Sequence, residues 1–362
     1  MKHNTFRNFI FLLTVLAAAS SCEDSQDLIL EQPAVSITSS NVLFGPRGGS
    51  GTIGFESEEQ VTAYSEQPWC AVSVDGNIVT VTASEYTELE NRYSSIILKA
   101  GEDSVRVVAQ QNGIVLKADV EDSYLLSNDA ADMSFDVESN GDVKVKSSAS
   151  WIRCTATDGK ISVTVRKNDD GHMRNGWFSF SSGNVSDTVR VAQASVEDLY
   201  GNYRLMGYDS SNSLLYIPAS IAAGEGENEL VVTCSTESVS WTFDAVFNPE
   251  NHTVSYANGQ YAGDWAVSGY TFHVFLCMLS ERTSSFSWNQ SMTGDATIEY
   301  DDENRCTVID ILPSSYDNGT GVTTYDSWVF AAFQNMDETT GMPKGGPAAY
   351  PAILYRPYLQ SI

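Results

Sequence analysis

The chain has 362 residues, with 20 basic and 47 acidic side chains and a formal net charge of −27 at pH 7. Such an acidic chain lacks the basic footprint that binds nucleic acid, and its body would be repelled by anionic lipid. Its length suits two or three domains, and its apolar content of 42% is enough to build their cores.

The N-terminus has the pattern of a secretory signal peptide. Lys2 and Arg7 precede a short apolar run over residues 9–16, and small residues at 17–21 lead to Cys22. This run is too short to span a bilayer as a permanent helix. The segment resembles the lipobox of bacterial lipoproteins, which implies removal of residues 1–22 and a lipid on Cys22. An ordinary signal peptide with a chance cysteine is the alternative.

An acidic, polar segment follows at residues 23–34 and is predicted to be a flexible tether. Its start resembles the export signal that sends many lipoproteins of the Bacteroidota to the outer face of the outer membrane. A solvated tether without such a signal is the alternative. We therefore expect a lipid-anchored protein of the outer membrane, exposed at the cell surface, whose only contact with the membrane is its lipid.

Two similar segments come next, at residues 35–113 and 114–195. Trp69 is followed 23 residues later by Arg92, and Trp151 is followed 23 residues later by Arg174. An Asp-Gly dipeptide, a strong hairpin signal, follows each tryptophan at 75–76 and 158–159, and each segment ends on strand-like residues. These marks predict two copies of one β-sandwich module.

The two copies resemble the BACON family, the Bacteroidetes-associated carbohydrate-binding, often N-terminal domain. The residues that carry the resemblance are those at 65–69 and 147–151, the two arginines, and the closing Val-Ala-Gln at 108–110 and 191–193. The resemblance implies immunoglobulin-like sandwiches. It implies either carbohydrate binding, as the family name says, or a rigid spacer that holds another domain away from the membrane.

The residue pattern of the modules favours the spacer. Each copy has one patterned tryptophan, Trp69 or Trp151, and a single tryptophan in an alternating strand is expected in the core. Arg92 and Arg174 are expected to bond loop carbonyls or to cover apolar surface with their stems. Trp177 has no tryptophan counterpart in the first copy and is the better candidate for exposure.

The residue pattern of segment 196–362 differs from that of the two modules. Strand-like runs separated by turn residues predict an antiparallel β-barrel or a sandwich; they lie at 213–219, 229–234, 239–247, 252–257, 270–279, 294–300, 305–312, 326–333 and 350–355. Residues 199–203, Leu-Tyr-Gly-Asn-Tyr, weakly resemble the opening of lipocalin-like barrels. An eight-stranded barrel has room for one small ligand at most.

A group of aromatic residues in this segment is the candidate binding site: Tyr256, Tyr261, Trp265 and Tyr270, with Asp264, Asn258 and Gln260 as polar neighbours. They surround the turn signals at 258–259 and 263–264. Aromatic side chains in loops can stack on sugar rings, and the polar neighbours can bond hydroxyls. The alternative is that Trp265 folds back as a lid on its own barrel. Trp241 and Trp328 lie mid-strand and are expected in the core.

Catalytic and metal-binding patterns are weak in this sequence. His172, His252 and His273 lack metal-ligand spacing, and no Gly-x-Ser-x-Gly elbow precedes a helix. The five cysteines after Cys22 include no CxxC, although one disulfide among Cys234, Cys277 and Cys306 stays open. We therefore expect no metal, no cofactor and no enzymatic activity.

The sequence as a whole predicts an all-β protein of three domains: two immunoglobulin-like sandwiches in tandem, then an antiparallel barrel or sandwich. We expect a surface binding protein in which the sandwiches form a stalk for a domain that captures a glycan or small ligand. The alternative is a structural or interaction subunit that docks an outer-membrane protein. A hydrolase is the third possibility.

Overall fold

The structure is a computed structural model that describes residues 34–237, 239–317, 319 and 321–362. The predicted signal peptide over 1–22, the lipid attachment at Cys22 and nearly all of the acidic tether lie outside these residues. No helix in the described part of the chain is both long and apolar enough to cross a membrane.

The first module consists of two four-stranded sheets. Its strands are β1 Ser36–Asn41, β2 Leu43–Phe44, β3 Gly49–Glu56, β4 Val61–Ser65, β5 Cys70–Asp75, β6 Ile78–Ala83, β7 Arg92–Ala100 and β8 Asp103–Gln111. The sheet orders are β1-β3-β6-β5 and β2-β8-β7-β4. Apolar side chains alternate along these strands, so that Ile53, Val79, Ile96 and Leu98 are completely buried between the sheets.

The second module repeats this topology strand for strand. Its strands are β9 Leu116–Ala118, β10 Ser123–Leu126, β11 Ala131–Ser139, β12 Lys144–Ser147, β13 Ile152–Thr157, β14 Lys160–Val165, β15 Arg174–Ser182 and β16 Val185–Gln193. The sheet orders are β9-β11-β14-β13 and β10-β16-β15-β12. Ile161, Val163, Phe178 and Val189 lie in its core. The predicted immunoglobulin-like sandwich fold is confirmed.

An Arg–Gln pair holds the same place in both modules. The guanidinium of Arg92 donates to Oε1 of Gln111 at 2.8 and 3.0 Å, and that of Arg174 donates to Oε1 of Gln193 at 2.7 and 3.0 Å. Both glutamines are fully buried, and each amide nitrogen donates to two loop carbonyls. The sequence alignment of Gln110 with Gln193 is therefore wrong by one residue, because Gln111 makes the equivalent contacts.

The patterned tryptophans are half-buried rather than enclosed. Trp151 packs against the core of its module and lies under Arg174, whose guanidinium carbon is 4.4 Å from the ring centroid. Trp69 is half-buried in the first module. Trp177 is 40% exposed, as its lack of a counterpart predicted. The two arginines bond loop carbonyls, as expected, and their guanidinium groups, rather than their stems, lie over aromatic rings.

The C-terminal domain begins with a short 3₁₀ turn, Val196–Leu199, and contains sixteen strands in its described residues. These are β17 Gly201–Tyr208, β18 Leu214–Ala223, β19 Glu229–Ser235, β20 Ser240–Asn248, β21 Thr253–Ala257, β22 Gln260–Val267, β23 Tyr270–Ser280, β24 Ser285–Ser287, β25 Thr293–Asp301, β26 Cys306–Ile311, β27 Ser314–Asp317, β28 Val322–Tyr325, β29 Ser327–Phe333, β30 Asn335–Met336, β31 Pro343–Lys344 and β32 Ala349–Ser361. All nine strand-like runs in the sequence correspond to strands; the long strands β17 and β22 and the short strands β24, β27, β28, β30 and β31 were missed.

Eight of these strands form a closed barrel in the order β17-β18-β19-β20-β21-β25-β26-β32, and β32 pairs back onto β17. The long strand β32 also carries a branch, β29-β23-β22, on its N-terminal half. The barrel interior is filled by large aromatic side chains, each at most 5% exposed: Tyr203, Trp241, Phe243, Phe247, Tyr256, Trp328 and Phe330. The barrel alternative for 196–362 is thus confirmed, and so is burial of Trp241 and Trp328.

Little free space remains inside the barrel. An internal cavity of about 20 Å³ lies beside Trp328 and Phe243, enough for one water molecule at most. The rings interlock, since Trp241 stacks on Phe330 at 4.8 Å and Trp328 meets Phe243 edge-on at 5.5 Å. A ligand therefore has no room in the interior as it stands.

The branch strand β29 and residues 274–280 of β23 are buried on both faces. Their outer faces form a second apolar cluster that includes Phe275, Cys277 and Phe333 and is covered by Phe286 and Trp288. Cys234 belongs to the interior cluster instead, and all five described cysteines are free thiols, so the disulfide left open by the sequence is not formed. Burial raises the pKa of Cys234 and Cys277 to about 12, which keeps both thiols protonated at neutral pH.

We expect Gln111→Ala to destabilise the first module by roughly 2 kcal/mol or more. The substitution removes the amide donor that buried loop carbonyls bond and takes one acceptor from the Arg92 guanidinium, and a buried group left unsatisfied costs about 1–3 kcal/mol. Pulse proteolysis in urea, with cleavage within residues 34–113 identified by mass spectrometry, measures the change. Gln110→Ala is the matched control and is expected to have a small effect. Equal urea midpoints for the two variants would contradict the role of Gln111.

Candidate functional site

The predicted aromatic site lies on a β-hairpin rather than in loops. Strands β22 and β23 are joined by Ser268 and Gly269, which both have positive φ (52° and 80°), as a tight two-residue hairpin turn requires. The turn predicted at 263–264 is absent, because Gly263 lies inside β22. Its φ of 127° belongs to a β-bulge at Ala262 and Gly263, where the register with β23 shifts by one residue.

The bulge determines which side chains share a face. Residues three apart on a regular strand point to opposite faces, but the extra residue brings Tyr261 and Asp264 to the same outer face. Asp264 lies opposite His273 on β23, and Tyr261 lies opposite Phe275, with the two rings edge-on at 5.7 Å. The hairpin register thus assembles a Tyr-Asp-His cluster at the surface of the domain.

Hydrogen bonds converge on one oxygen of Asp264. The Tyr261 hydroxyl donates to Oδ1 at 2.7 Å, and Nδ1 of His273 lies 2.7 Å from the same atom. The Tyr261 bond, with a smaller contribution from His273, holds the pKa of Asp264 below its ordinary value. Burial, with a further contribution from the Asp264 carboxylate, raises the pKa of Tyr261 to about 12. The cluster is therefore a carboxylate flanked by a neutral phenol and an oriented imidazole.

The other aromatic residues of the hairpin lie on its opposite face. Trp265 and Phe272 are cross-strand neighbours with ring centroids 5.9 Å apart, and both pack against the barrel core. Tyr270 follows with its centroid 6.4 Å from Phe272 and is 64% exposed. Trp265 packs back on its own barrel, as the lid alternative predicted, but it is only half-buried. Tyr270 continues the row of aromatic rings into solvent.

Tyr256 does not belong to this surface, and its predicted position there is wrong. It points into the barrel from β21, is 5% exposed, and accepts a hydrogen bond from the Trp328 indole at 2.8 Å. The alternation of β21 accounts for this, because Val254 and Tyr256 share the buried face. Of the five predicted binding residues in the domain, the hairpin thus brings together Tyr261, Asp264, Trp265 and Tyr270.

The two amide neighbours have structural contacts. Asn258 is fully buried, and its Oδ1 accepts from the backbone N–H of Met278 at 2.7 Å. The Gln260 side chain exchanges two 2.9 Å hydrogen bonds with the backbone of Asp244, which ties β22 to β20 where the strands do not pair directly. Neither amide is available for a ligand in this arrangement.

The site residues that the sequence analysis missed are His273 and Phe272. Both lie in a run that the sequence analysis assigned to a strand, and only the hairpin register places them beside the predicted residues. In the described part of the chain, His273 has no hydrogen bond to a serine, threonine or cysteine, and no group of three or more His, Cys, Asp or Glu side chains could hold a metal. The cluster has the chemistry of a polar binding surface with aromatic neighbours.

Comparison with known proteins identifies the two modules. The BACON family, described as "Putative binding domain, N-terminal", matches residues 58–112 and 141–194. The chain therefore carries two BACON domains in tandem, which suggest a carbohydrate-binding type of role. No curated protein matches the chain.

Solved structures align with the chain at low similarity. An I-band fragment of titin aligns with 59% of this chain and 97% of its own length, at 8% identity and a TM-score of 0.25. The endo-fucoidan hydrolase MfFcnA9 from glycoside hydrolase family 107 aligns with 46% of this chain and 35% of its own length, at 10% identity and a TM-score of 0.20. Values this low carry no functional argument.

We expect Asp264→Asn to lower the pKa of Tyr261 from about 12 toward its ordinary value of 10.0, because the substitution removes the negative charge beside the phenol. The pKa should stay above 10.0, since burial is the larger cause of the shift. NMR titration of tyrosine labelled at Cζ measures it, with Tyr261→Phe to assign the signal and Asp301→Asn as control. An unchanged pKa of Tyr261 in Asp264→Asn would contradict the electrostatic coupling between these two side chains.

Proposed function

Starting from a chain with two BACON domains, we propose that this protein is a lipid-anchored, cell-surface binding protein. The two sandwich modules act as a stalk, and the C-terminal barrel domain captures a glycan or small ligand. The family description as a binding domain supports a ligand-binding role. The lipobox-like residues ahead of Cys22 support attachment to the outer membrane through lipid.

The exposed aromatic hairpin carries the proposal. Tyr261 is 43% exposed and lies beside the Asp264 carboxylate and the His273 imidazole, which can bond hydroxyl groups. Tyr270 is 64% exposed on the opposite face of the same hairpin. A sugar ring offers the complementary features, an apolar C–H face and a rim of hydroxyls. Because the barrel interior is filled, capture at the outside of this domain is the mode that its packing favours.

The internal contacts of the modules support their role as a stalk. The Trp151 ring lies under the Arg174 guanidinium, so that one of its faces is closed to a sugar. The Arg–Gln pairs tie loops to strands inside each module. Trp177, at 40% exposure, is a single ring without an aligned partner, whereas sugar platforms use several.

A non-enzymatic role is part of the proposal. The Asp264–His273 pair orients an imidazole, but nucleophilic catalysis also needs a hydroxyl or thiol within reach of it. Docking of an outer-membrane protein is the alternative function, and it would use the same exposed aromatic residues. A hydrolase is the weaker alternative.

A glycan-array screen of the purified full chain tests the proposal, followed by calorimetry on the strongest glycan. We expect saturable binding that Tyr270→Ala weakens roughly 3- to 10-fold, the effect of losing one aromatic contact. Tyr93→Ala, which removes an exposed tyrosine of the first module, should leave the affinity unchanged. An equal loss of glycan affinity in both variants would show that the hairpin is not the binding site. No binding to any glycan by the folded chain would reject glycan capture and favour the docking subunit.

A further inference from the structure

A cleft of about 310 Å³ opens at one end of the barrel, apart from the exposed Tyr-Asp-His cluster. Its walls come from the start of β18, the beginning of β20 and the N-terminal half of β32, with Tyr216, Trp241, Tyr350 and Leu354 among the lining residues. This volume is at the lower end of the ~300–1,000 Å³ typical of small-molecule sites. The cleft differs from the filled interior, where only about 20 Å³ is free.

The lining of the cleft is neutral and amphipathic. None of the described residues that line it is charged, and Tyr216 and Tyr350 expose 64% and 48% of their surface. The tyrosines offer aromatic faces together with hydroxyl groups. The net charge of −27 further disfavours an anionic occupant. These features select a neutral ligand that has an apolar face and polar edges.

Trp241 supplies an unpaired donor in the wall of the cleft. It is 2% exposed, and its indole Nε1–H has no hydrogen-bond acceptor among the described residues. Trp328, the other interior tryptophan, donates its Nε1–H to Tyr256 at 2.8 Å. Buried indole N–H groups usually have such a partner. A ligand seated in the cleft, after a small shift of the rings, can provide the acceptor that Trp241 lacks.

The strand register puts the cleft at the same end of the sheet as the hairpin. Ala349, next to Tyr350 on β32, pairs with Ala332 on β29, and the neighbouring Phe333 pairs with His273 on β23. The aromatic residues of both regions therefore lie at the same end of the sheet.

We propose that this cleft binds one neutral sugar ring. The ring packs its C–H face on Tyr350 or Tyr216 and presents an oxygen as acceptor for the Nε1–H of Trp241. The assignment to a sugar rests on the proposed function. That the ligand is neutral and carries a hydrogen-bond acceptor is inferred from the uncharged lining and the unpaired Trp241 donor of the cleft.

Indole ¹H–¹⁵N NMR spectra of the full chain test the proposal. The probes are four neutral disaccharides, cellobiose, mannobiose, galactobiose and N,N′-diacetylchitobiose, with a glucuronate-containing disaccharide as the anionic control. Trp241→Phe and Trp265→Phe assign the two relevant signals. We expect at least one neutral disaccharide to shift the Trp241 signal saturably, and the anionic control to leave it unmoved.

Two surface variants test the cleft. Tyr350→Ala should weaken the affinity read at Trp241 roughly 3- to 10-fold, whereas Tyr93→Ala, in the first module, should leave it unchanged. A shift of Trp265 alone would overturn the cleft site and retain glycan capture at the hairpin. Unmoved signals at both tryptophans with all four neutral sugars would overturn the cleft site and also count against glycan capture. An equal shift with the anionic sugar would overturn the neutrality of the site.

Discussion

The first and last long strands of the C-terminal domain, β17 and β32, pair with each other and close its sheet into a barrel. This closure limits the places on the domain where a ligand could bind. A closed eight-stranded barrel has an interior that side chains can just fill. Here Trp241, Trp328 and Phe330 fill it with other aromatic rings, and a cavity of about 20 Å³ remains. The filled interior therefore favours the outer face and the open end of the barrel for the proposed recognition.

The branch that leaves β32 builds the outer surface. Its strand β29 and residues 274–280 of β23 are buried on both faces, so they form a packed base for the hairpin that β22 completes. On this base a single bulge at Gly263 turns Tyr261 and Asp264 to one face, where they meet His273. Polar groups held by rigid strands lose little conformational freedom when a ligand binds, which favours affinity.

The sequence predicts the fold well, because alternation and turn residues are local signals and the repeat is visible in the shared Trp–Arg spacing of residues 35–113 and 114–195. Local signals are less informative about the site, because the position of its residues depends on strand register and packing. Tyr256 and Tyr261 look alike in sequence, yet strand alternation buries one and a bulge exposes the other. His273 joins Asp264 only through hairpin register, and Trp241 lines the cleft only because β20 and β32 meet in the closed barrel. The sequence alignment paired Gln193 with Gln110 instead of Gln111, because the two neighbouring glutamines are identical in type and differ only in burial.

The central claim is that ligand capture takes place on the rim and outer face of the barrel domain. Hydrogen–deuterium exchange of the full chain, with and without the glycan that binds most tightly, tests it directly. The account predicts slower exchange in peptides from 260–273, 213–217 and 349–354, and unchanged exchange in the modules at 34–195. Protection confined to the modules, or spread through the interior strands β19, β21 and β25, would contradict it.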